Sequence, residues 1–257
     1  MKIVFHKRYY NCSYSSNPAA AKGRLDGIME IILSKPEDYE IITPESAVEE
    51  DILQAHTVKH YHSIKSNSLL FELASLSAGG AVLAAEQAYN GNPCFAVIRP
   101  PGHHASSDSC WGFCYFNNIS ISLLKLFSEN KIKTAFVLDF DLHTGDGNIN
   151  ILGNRRDNFN VNILNPRSTS RVDYVNEVKE YMAGLRNIDI LVASAGFDQG
   201  INDWGNLLMP EDYQTLGRLL REYSRKLCEG RRYALLEGGY NHGVIGNNVD
   251  YFCQGFK

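Results

Sequence analysis

Five short apolar runs punctuate the chain, at residues 2–5, 94–98, 134–140, 188–193 and 233–236. They are rich in Val, Ile, Phe and Leu and show little alternation, the pattern of parallel strands covered on both faces. Between them the apolar positions recur with helical spacing. The stretch 18–33 opens with Pro18 after Ser16 and Asn17, which suits a capped first turn. The stretch 69–89 is rich in Ala and Leu on most faces and reads as a central buried helix. Its Gly79–Gly80 pair lowers helix propensity and predicts close packing against a neighbour. Further helices are expected over 117–127, 172–185 and 210–227. Strands alternating with helices predict an α/β fold of three α/β/α layers around a mostly parallel sheet. No linker-like break interrupts residues 1–257, which read as one domain.

Composition narrows the class. The 257 residues carry a formal net charge of -4, which argues against a broad basic surface for nucleic acid. The six cysteines are scattered and form no C-x-x-C pair, so reduced, intracellular usage is expected rather than a disulfide framework or a zinc–thiolate site. The start resembles no signal peptide, and no stretch approaches the roughly 18 apolar residues that span a bilayer. The expectation is a cytoplasmic protein bound to neither membrane nor nucleic acid.

In parallel α/β sheets, ligands bind beyond the carboxyl ends of the strands. Four of the runs end in polar or ionisable groups: His103–His104, Asp139 to Asp146, Asp198, and Glu237 to Asn241. Asp139, Asp141 and His143 are spaced two apart, so a continuing strand would present them on one side. Asp141 and His143, joined by Asp198 from another strand end, can hold one divalent ion with an open position, as catalytic sites do. Each feature has a plainer reading alone: aspartates that bond local amides, loop histidines, and a packed tyrosine after Gly238–Gly239. Together, a metal, two histidines, spare carboxylates and the Tyr240 phenol are what metal-assisted hydrolysis requires.

These motifs resemble those of the histone deacetylase family, within the arginase–deacetylase superfamily, which includes acetylpolyamine amidohydrolases and acetoin-utilisation proteins. The matching segments are residues 99–105 (RPPGHHA), 112–117 (GFCYFN), 139–143 (DFDLH), 195–198 (AGFD) and 236–241 (LEGGYN). The resemblance implies the arginase–deacetylase fold. It implies that Asp141, His143 and Asp198 bind Zn²⁺, or Fe²⁺ in some members. It makes His104, held by Asp146, the general base and then acid, and His103, paired with Asp139, an electrostatic support. Tyr240 would donate to the oxyanion, with Gly239 beside it. Phe113, next to Gly112, would wall the substrate channel, and Arg24 would match an arginine near the acetate exit.

The departures are as informative. Family members carry a second channel aromatic, and a serine ligand to a structural K⁺, in the segment that here reads Asn162–Ile163–Leu164–Asn165–Pro166–Arg167. The loop before Leu69 is short and supplies no match for the rim aspartate. A shallower, wider pocket predicts a small acylated amine or a loosely held acyl-lysine as substrate. The trimmed loops also leave apolar rim of the kind a partner subunit covers. Two alternatives stand: an acyl-ligand sensor on a deacetylase fold, and a ureohydrolase-like enzyme with two metal ions.

Overall fold

The computed structural model describes residues 1–153 and 158–257. A single seven-stranded sheet organises it, with strands β1 (Lys2–Val4), β2 (Glu40–Ile42), β3 (Cys94–Ala96), β4 (Thr134–Asp139), β5 (Asn160–Leu164), β6 (Ile190–Ala195) and β7 (Arg232–Leu236). Their spatial order is β2-β1-β3-β7-β6-β4-β5, and every pairing is parallel. The α/β expectation therefore holds. The central strands β6 and β7 are buried at every residue, as a sheet covered on both faces requires.

The two outermost strands were not expected from the sequence. Glu40 and Ile41 of β2 are exposed, and β5 alternates exposed or half-buried Asn160, Val161, Asn162 and Ile163. Edge strands pair on one side only, so the continuous apolar run that marks a central strand is missing.

One helical layer contains α1 (Asp26–Leu33), α7 (Arg171–Gly184), α8 (Pro210–Cys228) and α9 (Ile245–Phe256), which pack on one another. The other contains α2 (Glu49–Leu53), α3 (Val58–Lys65), α4 (Ser68–Tyr89), α5 (Asn118–Ser128) and the short α6 (Asp146–Leu152). The helix expected over 18–33 is divided: a 3₁₀ turn at Pro18–Ala20 precedes α1, and Gly23 between them has φ +85°. That left-handed residue stops a continuous helix.

Helix α4 is the buried element its composition implied. A Cβ on Gly79 would lie 1.9 Å from the Glu45 carbonyl oxygen, so a β-carbon is incompatible with that contact. Contrary to expectation, this 22-residue helix is long and apolar enough to cross a membrane. Its small Ala, Gly and Ser residues interrupt any run of large apolar side chains, yet the mean hydropathy stays high. In the structure 61% of its apolar window is buried, against α5, β3 and β7, as in a core helix.

Candidate active site

The strands β3, β7, β6 and β4 are consecutive neighbours, so their carboxyl ends deliver the segments after Ile98, Leu236, Ala195 and Asp139 to one place. Strand β4 stops at Asp139. Asp141 and His143 thus sit on an irregular loop rather than on an extended strand, yet they still converge. The His143 Nδ1 atom lies 3.2 Å from both Asp141 Oδ1 and Asp198 Oδ2. Ligand-type atoms of Asp141, His143 and Asp198 all fall within 4.8 Å of one another.

Buried carboxylates this close repel unless something holds them. The Asp141 Oδ2 atom accepts the Gly238 amide at 2.9 Å, and Asp198 Oδ1 accepts the Leu142 amide at 3.0 Å. Asp198 Oδ2 is buried and accepts no hydrogen bond, its contact with His143 being an ion pair without hydrogen-bond geometry. A Cβ on Gly238 would stand 2.5 Å from Asp141 Oδ2 and 2.7 Å from Asp198 Oδ2, so glycine keeps this cradle open. An unsatisfied buried oxygen beside a second carboxylate and an imidazole fits a divalent cation. Burial, then the Asp141 carboxylate, raises the Asp198 pKa to about 6. The two neighbouring aspartates raise that of His143 to about 10.

The paired histidines lie side by side, with ring centroids 4.0 Å apart. His103 is buried, its Nδ1 3.2 Å from Asp139 Oδ2 and its Nε2 3.8 Å from Asp141 Oδ1. Burial opposes charge on this ring, but the carboxylates of Asp141 and Asp139 outweigh it and raise its pKa. His104 places Nδ1 2.6 Å from Asp146 Oδ1. Burial, then the charge on His103, lowers its pKa against the pull of Asp146. The two environments push the proton affinities of the adjacent imidazoles in opposite directions.

Gly112, with φ +59°, turns the chain so tightly over His104 that a Cβ there would lie 2.3 Å from its Cδ2 atom. Phe113 follows at φ 69°, a conformation unfavourable for a bulky residue and concentrated at functional sites. Its ring meets Tyr240 edge-on at 6.0 Å. Burial and the Asp141 carboxylate raise the Tyr240 pKa, which keeps the phenol a proton donor. Gly239 offers its carbonyl to Arg24 Nε at 2.8 Å. Arg24 is fully buried, also bonds the Glu237 carbonyl, and holds its guanidinium 5.5 Å from the Tyr240 ring centre.

Trp204 and Asp203 escaped the sequence reading, as did the contacts of Trp111 and Glu237. Trp204 stacks on Tyr240 at 4.1 Å and meets His143 edge-on at 6.1 Å. Trp111 lies over His104 at 3.8 Å. Both indoles are more than half exposed, which the sequence alone does not show. Asp203 ties the loops together, its Oδ2 accepting the Tyr240 and Asn241 amides at 2.8 Å each. Glu237 Oε2 accepts the Gly102 and His103 amides at 2.7 and 3.2 Å, and burial raises its pKa to about 7.

The segment expected to bear on potassium is also explicit. Ile163 pairs with Val137 in the sheet, and Asn165 Nδ2 donates to the Asp139 carbonyl at 3.2 Å. The Phe140 carbonyl accepts the Tyr174 hydroxyl at 3.3 Å. Two carbonyls of the loop are therefore served by protein donors.

The fold and the gathered carboxylates and histidines are those expected of the deacetylase class. The chain belongs to the histone deacetylase family, its residues 19–163 and 150–256 matching the Histone deacetylase domain. A probable deacetylase of Archaeoglobus fulgidus is 29% identical over 292 aligned positions, covering 93% of this chain and 81% of that protein. Histone deacetylase 5 of Arabidopsis thaliana is 30% identical, over 76% of this chain and 36% of its own length. Polyamine deacetylase HDAC10 of Danio rerio is 27% identical, over 88% and 38%. The crystal structure of the HDA15 HD domain shares the fold with a TM-score of 0.84 at 21% identity, covering all of this chain and 90% of that one.

Proposed function

We propose that the protein hydrolyses an N-acyl amide, in the first place an N-acetyl amide, on a lysine side chain or a small amine, with a single Zn²⁺ or Fe²⁺ held by Asp141, His143 and Asp198. The observation that carries this reading is the unsatisfied, buried Asp198 Oδ2 facing Asp141 and His143, with the His104–Asp146 pair beside them. The bound ion would supply Lewis-acid polarisation of the acyl carbonyl and a more acidic water.

The chain's own groups account for the proton steps. His104, with Nδ1 engaged by Asp146, has Nε2 free to take a proton from water and return it to the departing amine. His103, with Nδ1 3.2 Å from Asp139 Oδ2, stands beside His104 as an electrostatic support. The Tyr240 hydroxyl donates to the developing oxyanion. The only other ligand-type group among the described residues, His103, Cys114 and Glu237, is already used internally through the Asp139 and backbone bonds. That favours one ion over two.

A small acylated amine fits the trimmed rim, and the polyamine-directed zebrafish relative supports that class. A panel of acetyl-lysine peptides and acetylated polyamines, assayed with Zn²⁺ and with Fe²⁺, tests the reading. Release of acetate supports it, and a metallated protein inert to the whole panel overturns it in favour of an acyl-ligand sensor.

A further inference from the structure

Trp111 makes two contacts with the proton-transfer pair that no general packing role requires. Its indole lies over the His104 imidazole, centroids 3.8 Å apart and planes 32° from parallel. Its Nε1–H donates to Asp146 Oδ2 at 2.8 Å, while the other oxygen of the same carboxylate meets His104 Nδ1 at 2.6 Å. The three side chains close a triangle in which each fixes the other two.

The closure matters because Asp146 is the weak member. Its side chain is 49% exposed, at the first turn of a short helix, where a carboxylate samples several rotamers and bonds water. One bond to a histidine leaves the second oxygen free to rotate away. The indole N–H removes that freedom, and a bond from a donor to a carboxylate is of the stronger kind. The turn carrying Trp111 is itself fixed, since the Cys114 amide donates to the Trp111 carbonyl at 3.0 Å. His104 is then bounded by His103 on one side, the indole on another, Gly112 at its edge and Asp146 at Nδ1. When the ring gains a proton, the indole face is also a favourable neighbour for the cation.

We propose that Trp111 is a positioning residue for His104, acting through Asp146 by bonding its second carboxylate oxygen and covering the imidazole. The inference rests on the reading of His104 as the group that moves the proton. It also predicts that Trp111 does not grip substrate.

The experiment is a double-mutant cycle of W111F and D146A, with kcat and KM measured separately on the best substrate of the panel. Phe keeps an aromatic ring beside His104 and removes the N–H with the rest of the five-membered ring. W111F is expected to lower kcat by about tenfold, with KM within about twofold of wild type. In the D146A background the same change should cost nothing further, because its route is gone. A raised KM at unchanged kcat would make Trp111 a substrate wall and overturn the proposal, as would effects that simply multiply. A second readout needs no turnover. In metal-free protein labelled with ¹⁵N-histidine, the His104 Nδ1–H signal, assigned by its loss in H104A, should exchange faster with water in W111F at an unchanged melting temperature. Equal exchange overturns the proposal. A wild type inactive on every substrate defeats the hydrolase reading, while the exchange measurement still decides whether Trp111 positions His104.

Discussion

Trp204 lies flat on Tyr240, their ring centroids 4.1 Å apart and their planes 28° from parallel. The contact joins the loop after β6 to the loop after β7, and Asp203 reinforces it through the Tyr240 and Asn241 amides. Trp204 also stands edge-on to the metal-ligand candidate His143, so one half-exposed indole borders both the phenol and the ion's place. Removing it by W204A should free Tyr240 and lower kcat/KM by roughly tenfold to a hundredfold, the scale of misplacing a catalytic group. W204F should recover most of the loss. Steady-state kinetics on a small acetylated amine check this, and an unchanged kcat/KM in W204A would remove Trp204 from the site.

Tyr240 is expected to act on the developing oxyanion rather than on the ion. Y240F should therefore lose about a hundredfold to a thousandfold in kcat, the range for losing one such donor. Its metal content, measured by elemental analysis, should match wild type. A variant that loses metal in proportion to activity would contradict this assignment.

Metal dependence has a direct test. Chelation should abolish turnover, and added Zn²⁺ or Fe²⁺ should restore it in the wild type but not in D198A, which lacks the buried oxygen facing the other two ligands. Full recovery of D198A at ordinary metal concentration would exclude Asp198 as a ligand.

The pH profile follows from the split between the histidines. His104 works as a base only when neutral, and burial together with the charge on His103 lowers its pKa from the ordinary 6.5. The acid limb of kcat/KM should therefore lie below pH 6.5, and a nearby bound cation moves it in the same direction. The Asp141 and Asp139 carboxylates shift His103 the opposite way, upward. An acid limb above 6.5 in a pH–rate measurement would refute the assignment.

A stability prediction comes from His56, which lies beneath the loop that carries Phe113. Its Nε2 accepts the Asn117 amide at 2.8 Å, and its ring packs 5.4 Å from Phe116. Burial, then the nearby His60, lowers its pKa from 6.5 to about 3. The unfolded chain therefore binds this proton first. The contribution of neutral His56 is complete above pH 6.5 and is lost as the pH falls towards about 3. In H56Q the acid-side slope of unfolding free energy against pH should shrink, by at most about 1.4 kcal/mol per pH unit for one proton. Denaturant titrations between those limits measure it, and identical slopes would contradict it.

The sequence alone determined the α/β class, because fully buried parallel strands need continuous apolar runs, and β4, β6 and β7 display them. It also named Asp141, His143, Asp198, His103 and His104, because carboxylates and imidazoles just beyond buried strands stand out against an apolar background. It could not show the edge strands, whose single covered face leaves Asn160 and Glu40 in the pattern. The indoles were decided by the tertiary structure. Trp111 acquires meaning from Asp146, which is 35 residues away, and Trp204 from Tyr240, which arrives on a different strand. Local pattern records which face of an element is buried, whereas the order of strands in the sheet decides which loops meet. That order brings the ends of β3, β7, β6 and β4 side by side, and with them the groups of the proposed chemistry.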